Sequence, residues 1–427
     1  MQLVLINAPV KTHSPHASLS PPLGLAYVAA ALMDAGHLVS AVDFNVSGLN
    51  LSRVDRIVEC DKPTVVGISA MTETYPGALV IARRLKEIDP SVVVVIGGAH
   101  PSIVPYDVLA EEAVDYVVVG GGERAMVELV ASLTAGGGAF DEIAGLGFMR
   151  DGVPVVNKRT PLPDPDDLPF PARGIFPLEL YANAINVLTA TGSCPYRCPF
   201  CSAASIWEGR RKTRSPGSIV EELRMLVIDH GVDHVFFTDD IFTLDKRWVY
   251  RLLDALSGLE YPITWGCATR VDLVDGDLLR AMAAGGCTGI QFGVESGSQG
   301  ILDSVKGISK AQVVTAVDAA LAAGIDAVCS FMVPFPEDTE ETLRETGDFM
   351  ESLYLAGGKI LLSYTAPYPG TYFYDHAKEL GLTILTDRWD EFDAKHVVME
   401  TSQLSAAQID AAVSAIAAKI GMHRSTG

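Results

Sequence analysis

Short apolar runs alternate with helical patterns along nearly the whole chain, and one proline-rich break splits that alternation into two parts. In the first part the runs QLVLI (2–6), LVSAVD (38–43), VVGISA (65–70), VVVVI (92–96) and DYVVV (115–119) have strand length. Their near-continuous apolar character is what strands covered by helices on both faces require. Between the first two, Leu25, Val28, Ala29 and Leu32 recur at helical spacing, with Pro22 ahead and Gly36 behind as start and stop signals. Further crossover helices are expected at 75–88, roughly 104–113 and 122–135. The run PLPDPDDLPFPAR, holding Pro161, Pro163, Pro165, Pro169 and Pro171, can continue neither a helix nor a central strand, so it reads as an extended connector.

Beyond it the alternation resumes with INVLTAT, HVFFT, ITWGCA, TGIQFGV, DAVCSFMV and KILLSYT, separated by helical stretches. Six strand-helix units predict a partial barrel of parallel strands. The expected fold class is therefore α/β: a doubly wound parallel sheet over 1–150, a linker over 151–180, a partial (β/α)6 barrel over 181–366 and a short helical region over 367–427. In that last region Ser405 and Gln408 form a capping box, and Ile409, Val413, Ile416 and Ile420 form a stripe suited to packing on the barrel. Both architectures place ligands at the carboxyl ends of their strands.

Composition narrows the class. The chain has 427 residues, 48% hydrophobic and 20% charged, with no apolar run near the ~18 residues of a membrane span. Its start, MQLVLINAPV, has no basic region or cleavage site and reads as a first strand, which places the protein in the cytoplasm. A net charge of −21 with no basic stripe disfavours nucleic acid and permits a cationic small-molecule substrate such as an amino sugar. Seven cysteines without a regular framework fit a reducing compartment.

Three of those cysteines, Cys194, Cys198 and Cys201, share the loop TGSCPYRCPFCS just after the first barrel strand. A cubane 4Fe-4S cluster offers four corners to thiolates, so this loop holds three and leaves one iron open. Structural zinc wants four closed ligands, usually as paired C-x2-C units, and Cys60, Cys267, Cys287 and Cys329 stand singly. The motif resembles that of the radical S-adenosylmethionine (SAM) superfamily, and Phe200 fits that superfamily's aromatic before the third cysteine. The resemblance implies that the open iron chelates the SAM amino and carboxylate groups. An electron from the cluster then yields a 5′-deoxyadenosyl radical.

Polar residues follow each barrel strand. Asp239 and Asp240 follow HVFFT, Arg270 follows ITWGCAT, and Glu295 with Ser296 closes GIQFGVESGS. A carboxylate suits the SAM ammonium, the guanidinium its carboxylate, and Glu295 the paired ribose hydroxyls. Helix capping and surface salt bridges are the plainer alternative. Together these stations resemble those of radical SAM enzymes carrying an amino-terminal cobalamin-binding domain, as do FMVPFPEDTEET and TAPYPGTYFYDHAKELGL. Those enzymes commonly have Pro-Gly-Glu where Pro336-Glu337-Asp338 stands. Tyr364, Tyr368, Tyr372 and Tyr374 are candidates for lining the substrate pocket.

The first domain resembles the same group's cobalamin-binding domain through PPLGLAYVAAALMDAGH, VVGISAMT, VVVIGGAHPS and DYVVVGGGE. Gly97-Gly98 and Gly120-Gly121-Gly122 allow close backbone approach, and Ser69, Thr72, His100 and Glu123 are positioned to contact a corrin. The D-x-H-x-x-G element that supplies a lower-face histidine elsewhere is absent, so cobalamin would bind without a protein imidazole. The alternative is a sheet kept for architecture alone, with His100 a hydrogen-bonded loop histidine and His13 and His16 in a loop before Pro21.

With cobalamin bound, the resemblance implies methyl transfer to an unactivated carbon. With the domain empty, it implies radical dehydration of a diol of the aminoglycoside type. A corrinoid sensor or carrier with a structural cluster is a third reading. Either enzyme needs an external electron donor, of the flavodoxin or ferredoxin type or a partner reductase.

Overall fold

The computed structural model describes residues 1–10, 20–159, 163–181, 185–192, 194–207 and 211–421. His13, His16 and Pro161 lie outside the described residues. Strand β1 (Gln2–Asn7) is central to the first sheet, and its Leu3, Val4, Leu5 and Ile6 are fully buried because apolar helices cover both faces. It pairs in parallel with β2 (Leu38–Asp43) on one side and β3 (Val65–Ser69) on the other. Strands β4 (Val93–Gly97) and β5 (Tyr116–Val118) follow in parallel, giving the order β2-β1-β3-β4-β5. The order reverses at β1/β3, and the helices Leu23–Asp34, Tyr75–Ile88 and Gly122–Thr134 pack around that crevice.

The sheet does not stop at β5. Strands β6 (Leu146–Arg150) and β7 (Val153–Val156) add an antiparallel hairpin, making seven strands, so the boundary read at 150 falls inside this hairpin. Its two-residue turn is Asp151-Gly152, both at positive φ, as a primed turn needs. The helix expected at roughly 104–113 is two short turns, Ala99–Ile103 and Pro105–Leu109. Pro105 lacks an N–H and pushes Val104 out of the helical region, which divides them. The crossover from β2 to β3, for which the sequence suggested no helix, contains Leu51–Arg56 continued by a π turn over Ile57–Asp61.

The linker is a packed strap and not an extended tether. It makes 3-10 turns at Arg173–Ile175 and Leu178–Leu180, and Phe176 joins the core of the first sheet. Arg173 is buried against the Glu222 carboxylate at 2.7 Å, and Arg214 meets that carboxylate's other oxygen. Tyr181 donates to Asp43 at 2.9 Å, binding the strap back to the end of β2.

The second sheet runs β8 (Ile185–Val187), β9 (His234–Phe237), β10 (Thr264–Thr269), β11 (Cys287–Glu295), β12 (Asp326–Val333) and β13 (Lys359–Tyr364), all parallel and in chain order. In β11 and β12, Ile290, Phe292, Val294, Ala327, Cys329 and Phe331 are buried in the helix-facing core. The alternate residues Gln291, Gly293, Glu295 and Ser330 therefore face the interior of the partial barrel.

The last region is only partly helical. Thr383–Ile384 pairs with Met399–Glu400 around a 3-10 turn at Trp389–Glu391. The helix Ala406–Lys419 then begins with the Ser405/Gln408 capping box. Its Ile416 packs on the helix Glu340–Leu355 where Gly347 leaves room; a Cβ there would lie 2.9 Å from Ile416. Among the described residues no helix is long and apolar enough to cross a membrane.

Candidate active site

The cysteine loop emerges beyond the carboxyl end of β8. Cys201 N–H donates to the Cys198 carbonyl at 3.0 Å, which turns the loop back on itself. Tyr196, inside the loop, lies beneath the Arg270 guanidinium at 3.9 Å. Burial pushes the Cys198 thiol above its ordinary range, while Lys306 and Arg270 pull it back down. Cys194 is likewise raised by burial and faces Asp240, Arg211 and Arg270. These cations suit a set of thiolates. Among the described residues no three His, Cys, Asp or Glu side chains converge as one metal ion would need. Three thiols on one loop suit three corners of a cubane cluster.

The members of each strand-end pair differ in their surroundings. Asp240 is exposed beside the cysteines. Asp239 is buried and accepts from Thr189 N–H at 3.1 Å and Thr189 Oγ1 at 2.5 Å, tying the exits of β8 and β9 together. Glu295 sits at φ +79 where the β11–β12 register shifts, a bulge that re-aims its side chain. Ser296, 1% exposed, packs 3.3 Å from Thr346 Oγ1 and accepts from Ser298 N–H at 3.1 Å, which seats the β11 end on a helix.

Arg270 grips Asp272 with Nε at 2.9 Å and Nη2 at 3.1 Å, but its Nη1 is buried without a partner. Thr191 Oγ1 and Thr365 Oγ1, at the exits of β8 and β13, are also buried and unpartnered. Buried polar groups are normally satisfied, so this ring of orphans around the mouth fits a polar ligand, and Arg270 Nη1 fits a carboxylate. Phe200 packs on Phe335 and Phe373 at centroid distances of 5.8 and 6.4 Å, a supporting cluster beneath the loop. Each of the four tyrosines has a partner of its own. Tyr364 donates to Asp410 at 2.6 Å, Tyr368 to the Phe392 carbonyl at 3.0 Å, Tyr372 stacks on His376, and Tyr374 leans on Trp389. Asp338, in place of the expected Pro-Gly-Glu acid, accepts from Phe335 N–H and Thr342 Oγ1 at 2.7 and 2.6 Å, so it caps a turn.

A cavity of about 330 Å³ opens at the carboxyl edge of the first sheet, beside the β1/β3 switch point. Ser69, Gly97, Gly98, Gly120, Gly121 and Glu123 line it as expected, joined by Ile206 and Trp207 from the barrel side. Gly98 has φ +107, and a Cβ there would lie 2.6 Å from the Ala70 carbonyl, so only glycine fits. Such a slot, bounded by backbone, fits a flat cofactor approaching the sheet edge. Thr72 and His100 do not line it. The His100 ring is 1% exposed, with Nδ1 3.3 Å from Thr72 Oγ1, between Tyr75 at 4.3 Å and Trp389 at 5.3 Å. Burial lowers its pKa to about 4, so it is a neutral packing residue joining the sheet to the carboxyl-terminal segment.

The turn Ala203–Ile206, directly after Cys201, is clamped to the sheet edge. Arg159 donates to the Ile206 carbonyl at 2.7 Å and to the Ser102 carbonyl, and Ser205 Oγ donates to the Gly370 carbonyl at 2.5 Å. The sequence reading missed Lys306, Arg211, Ile206 and Trp207. Only Trp207, a large aromatic soon after the third cysteine, carried a visible signal.

The family model described as B12 binding domain matches residues 16–130, and the one described as Radical SAM superfamily matches residues 188–350. An uncharacterized methyltransferase of Pyrococcus horikoshii is 30% identical over 96% of this chain and 90% of that protein. The anaerobic magnesium-protoporphyrin IX monomethyl ester cyclase of Rubrivivax gelatinosus is 29% identical over 76% of this chain and 61% of its own length. The fold matches the structure of the radical SAM methyltransferase TsrM from Kitasatospora setae, solved with cobalamin and a [4Fe-4S] cluster bound, with TM-score 0.76 and 20% identity over 95% of this chain and 83% of that one. With both domains in this order and a relative this similar across nearly the whole length, the chain belongs to the radical SAM enzymes that carry an amino-terminal B12-binding domain.

Proposed function

We propose that this chain is a cobalamin-dependent radical SAM C-methyltransferase acting on a small molecule, working in the cytoplasm with an external one-electron donor of the flavodoxin or ferredoxin type. The observation that carries this reading is a shared wall: Ile206 and Trp207, shortly after the last cluster cysteine, line the glycine cavity of the first domain. Whatever occupies that cavity is therefore next to the cysteine loop. When bound, the cluster supplies the electron that cleaves SAM to a 5′-deoxyadenosyl radical, and cobalamin supplies the methyl group.

The chain's own residues bind and orient. Cys194, Cys198 and Cys201 hold three cluster corners. Arg270 offers Nη1 to the SAM carboxylate, Asp240 faces its ammonium, and Glu295 offers Oε2 to the ribose. Gly97, Gly98, Gly120 and Gly121 let a corrin approach the backbone. The relative named a methyltransferase supports methylation over dehydration, and the B12-binding match supports a loaded cavity over an empty one.

Anaerobic reconstitution with iron, sulfide and hydroxocobalamin tests the proposal. Stoichiometric corrinoid is expected, with 5′-deoxyadenosine formed under reduction and abolished in Cys198→Ala. A cobalt-free protein that still makes 5′-deoxyadenosine moves dehydration to first place. Cleavage retained after alanine replaces all three cysteines sinks the radical SAM chemistry itself.

A further inference from the structure

Arg270 leaves β10 and Glu295 ends β11, yet both are held by a residue that neither strand supplies. Lys306 follows the helix Gln299–Val305, and its side chain is 7% exposed. Its ammonium donates to Glu295 Oε1 at 2.5 Å and to the Gly293 carbonyl. Its own carbonyl accepts from Arg270 Nη2 at 2.9 Å.

Several observations exclude an incidental contact. A buried ammonium loses its hydration and persists only when held by an opposite charge and good acceptors. Glu295 adopts a backbone conformation that L residues rarely take, so its carboxylate needs an anchor, and Lys306 is its one ion-pair partner among the described residues. A Cβ on Gly293 would fall 2.5 Å from both Glu295 Oε1 and Lys306 Nζ, so that position is kept clear for the pair. Lys306 itself is fixed: its N–H and that of Gly307, at φ +66, both donate to the Leu302 carbonyl and close the helix.

We propose that Lys306 is the positioning residue of the SAM site, setting Glu295 through its ammonium and Arg270 through its carbonyl so that the two meet the opposite ends of one SAM molecule in register. The inference rests on the functional reading above. In this assignment Lys306 acts through Glu295 and Arg270 and is not itself a ligand of SAM.

The test uses the holoenzyme, loaded with cluster and cobalamin, and SAM as the probe. Iron content, the dissociation constant of SAM and the change in the reduced cluster's EPR signal on SAM addition are measured. Lys306→Met is expected to retain iron and to bind SAM roughly tenfold or more weakly, with Lys306→Arg recovering most of the loss. In a Glu295→Gln background the same Lys306→Met change should cost less than about threefold, because the carboxylate it positions has gone. SAM affinity within about twofold of the parent in Lys306→Met, or fully additive losses in the double variant, overturns the proposal. Should Lys306→Met fail to fold, Lys306→Gln, which keeps a donor without the charge, is read by the same criteria. A parent that carries iron but binds no SAM instead overturns the functional reading, and this inference with it.

Discussion

Gly97 and Gly98 are neighbours at the end of β4, both line the sheet-edge cavity, and they should respond differently to substitution. A Cβ on Gly97 would meet nothing closer than the Val118 carbonyl at 3.6 Å, an ordinary contact. Val118 itself lines the cavity, so a longer side chain at 97 extends beside it into the 330 Å³ slot. A Cβ on Gly98 would lie 2.6 Å from the Ala70 carbonyl in a backbone at φ +107, so even alanine is strained. Gly98→Ala should therefore cost about 1–3 kcal/mol of stability before any ligand is considered. Gly97→Leu should fold, since a strand favours leucine over glycine. It removes ligand contacts comparable to one buried leucine side chain, about 1.5–3 kcal/mol. At tenfold per ~1.4 kcal/mol, corrinoid affinity should fall roughly ten- to hundredfold. Titration with hydroxocobalamin, followed by the visible spectrum and cobalt content, reads this directly, with iron content and thermal midpoint as controls. Parental corrinoid affinity in a folded Gly97→Leu protein would refute the assignment of this cavity.

Other outcomes follow from the same geometry. Glu222, 2% exposed between Arg173 of the strap and Arg214, is the carboxylate both guanidinium groups share; Glu222→Gln leaves two buried cations uncompensated and should cost about 3–5 kcal/mol in denaturant unfolding, so a loss below about 1 kcal/mol would show the network is dispensable. His100 stays neutral in the fold down to about pH 4, whereas an unfolded histidine takes a proton near pH 6.5. Its contribution is therefore whole above pH 6.5 and lost as pH falls toward 4, about 3 kcal/mol in all; the stability difference between parent and His100→Gln should narrow across that window, and a difference independent of pH would contradict the burial. Gly293→Ala pushes against both members of the Glu295–Lys306 pair and should weaken SAM binding with iron retained, which calorimetry on the loaded enzyme measures; unchanged affinity would mean the pair tolerates displacement.

Much of this protein is legible from local patterns. Apolar runs of strand length, with helix starts and stops between them, locate the parallel strands, because periodicity reports which faces are buried. The three cysteines of one loop announce their chemistry by spacing alone, and the glycines after β4 and β5 mark backbone that something must approach closely. Even the missed hairpin was written locally, in Asp151-Gly152. Tertiary structure decided what depends on direction and on distant partners. Burial drew Asp239 into hydrogen bonds with Thr189 and Ser296 into contact with Thr346 and Ser298, whereas Asp240 stays exposed and Glu295 pairs with Lys306. Burial between Tyr75 and Trp389 took His100 out of the cavity, and a shared carboxylate turned the proline-rich tether into a strap. Lys306 lies in an unremarkable stretch, SVKGISK, and gains its place only because the helix cap brings its ammonium and its carbonyl to two different strands. A linear pattern records a residue's neighbours in the chain, but charge pairing and desolvation are set by neighbours in space.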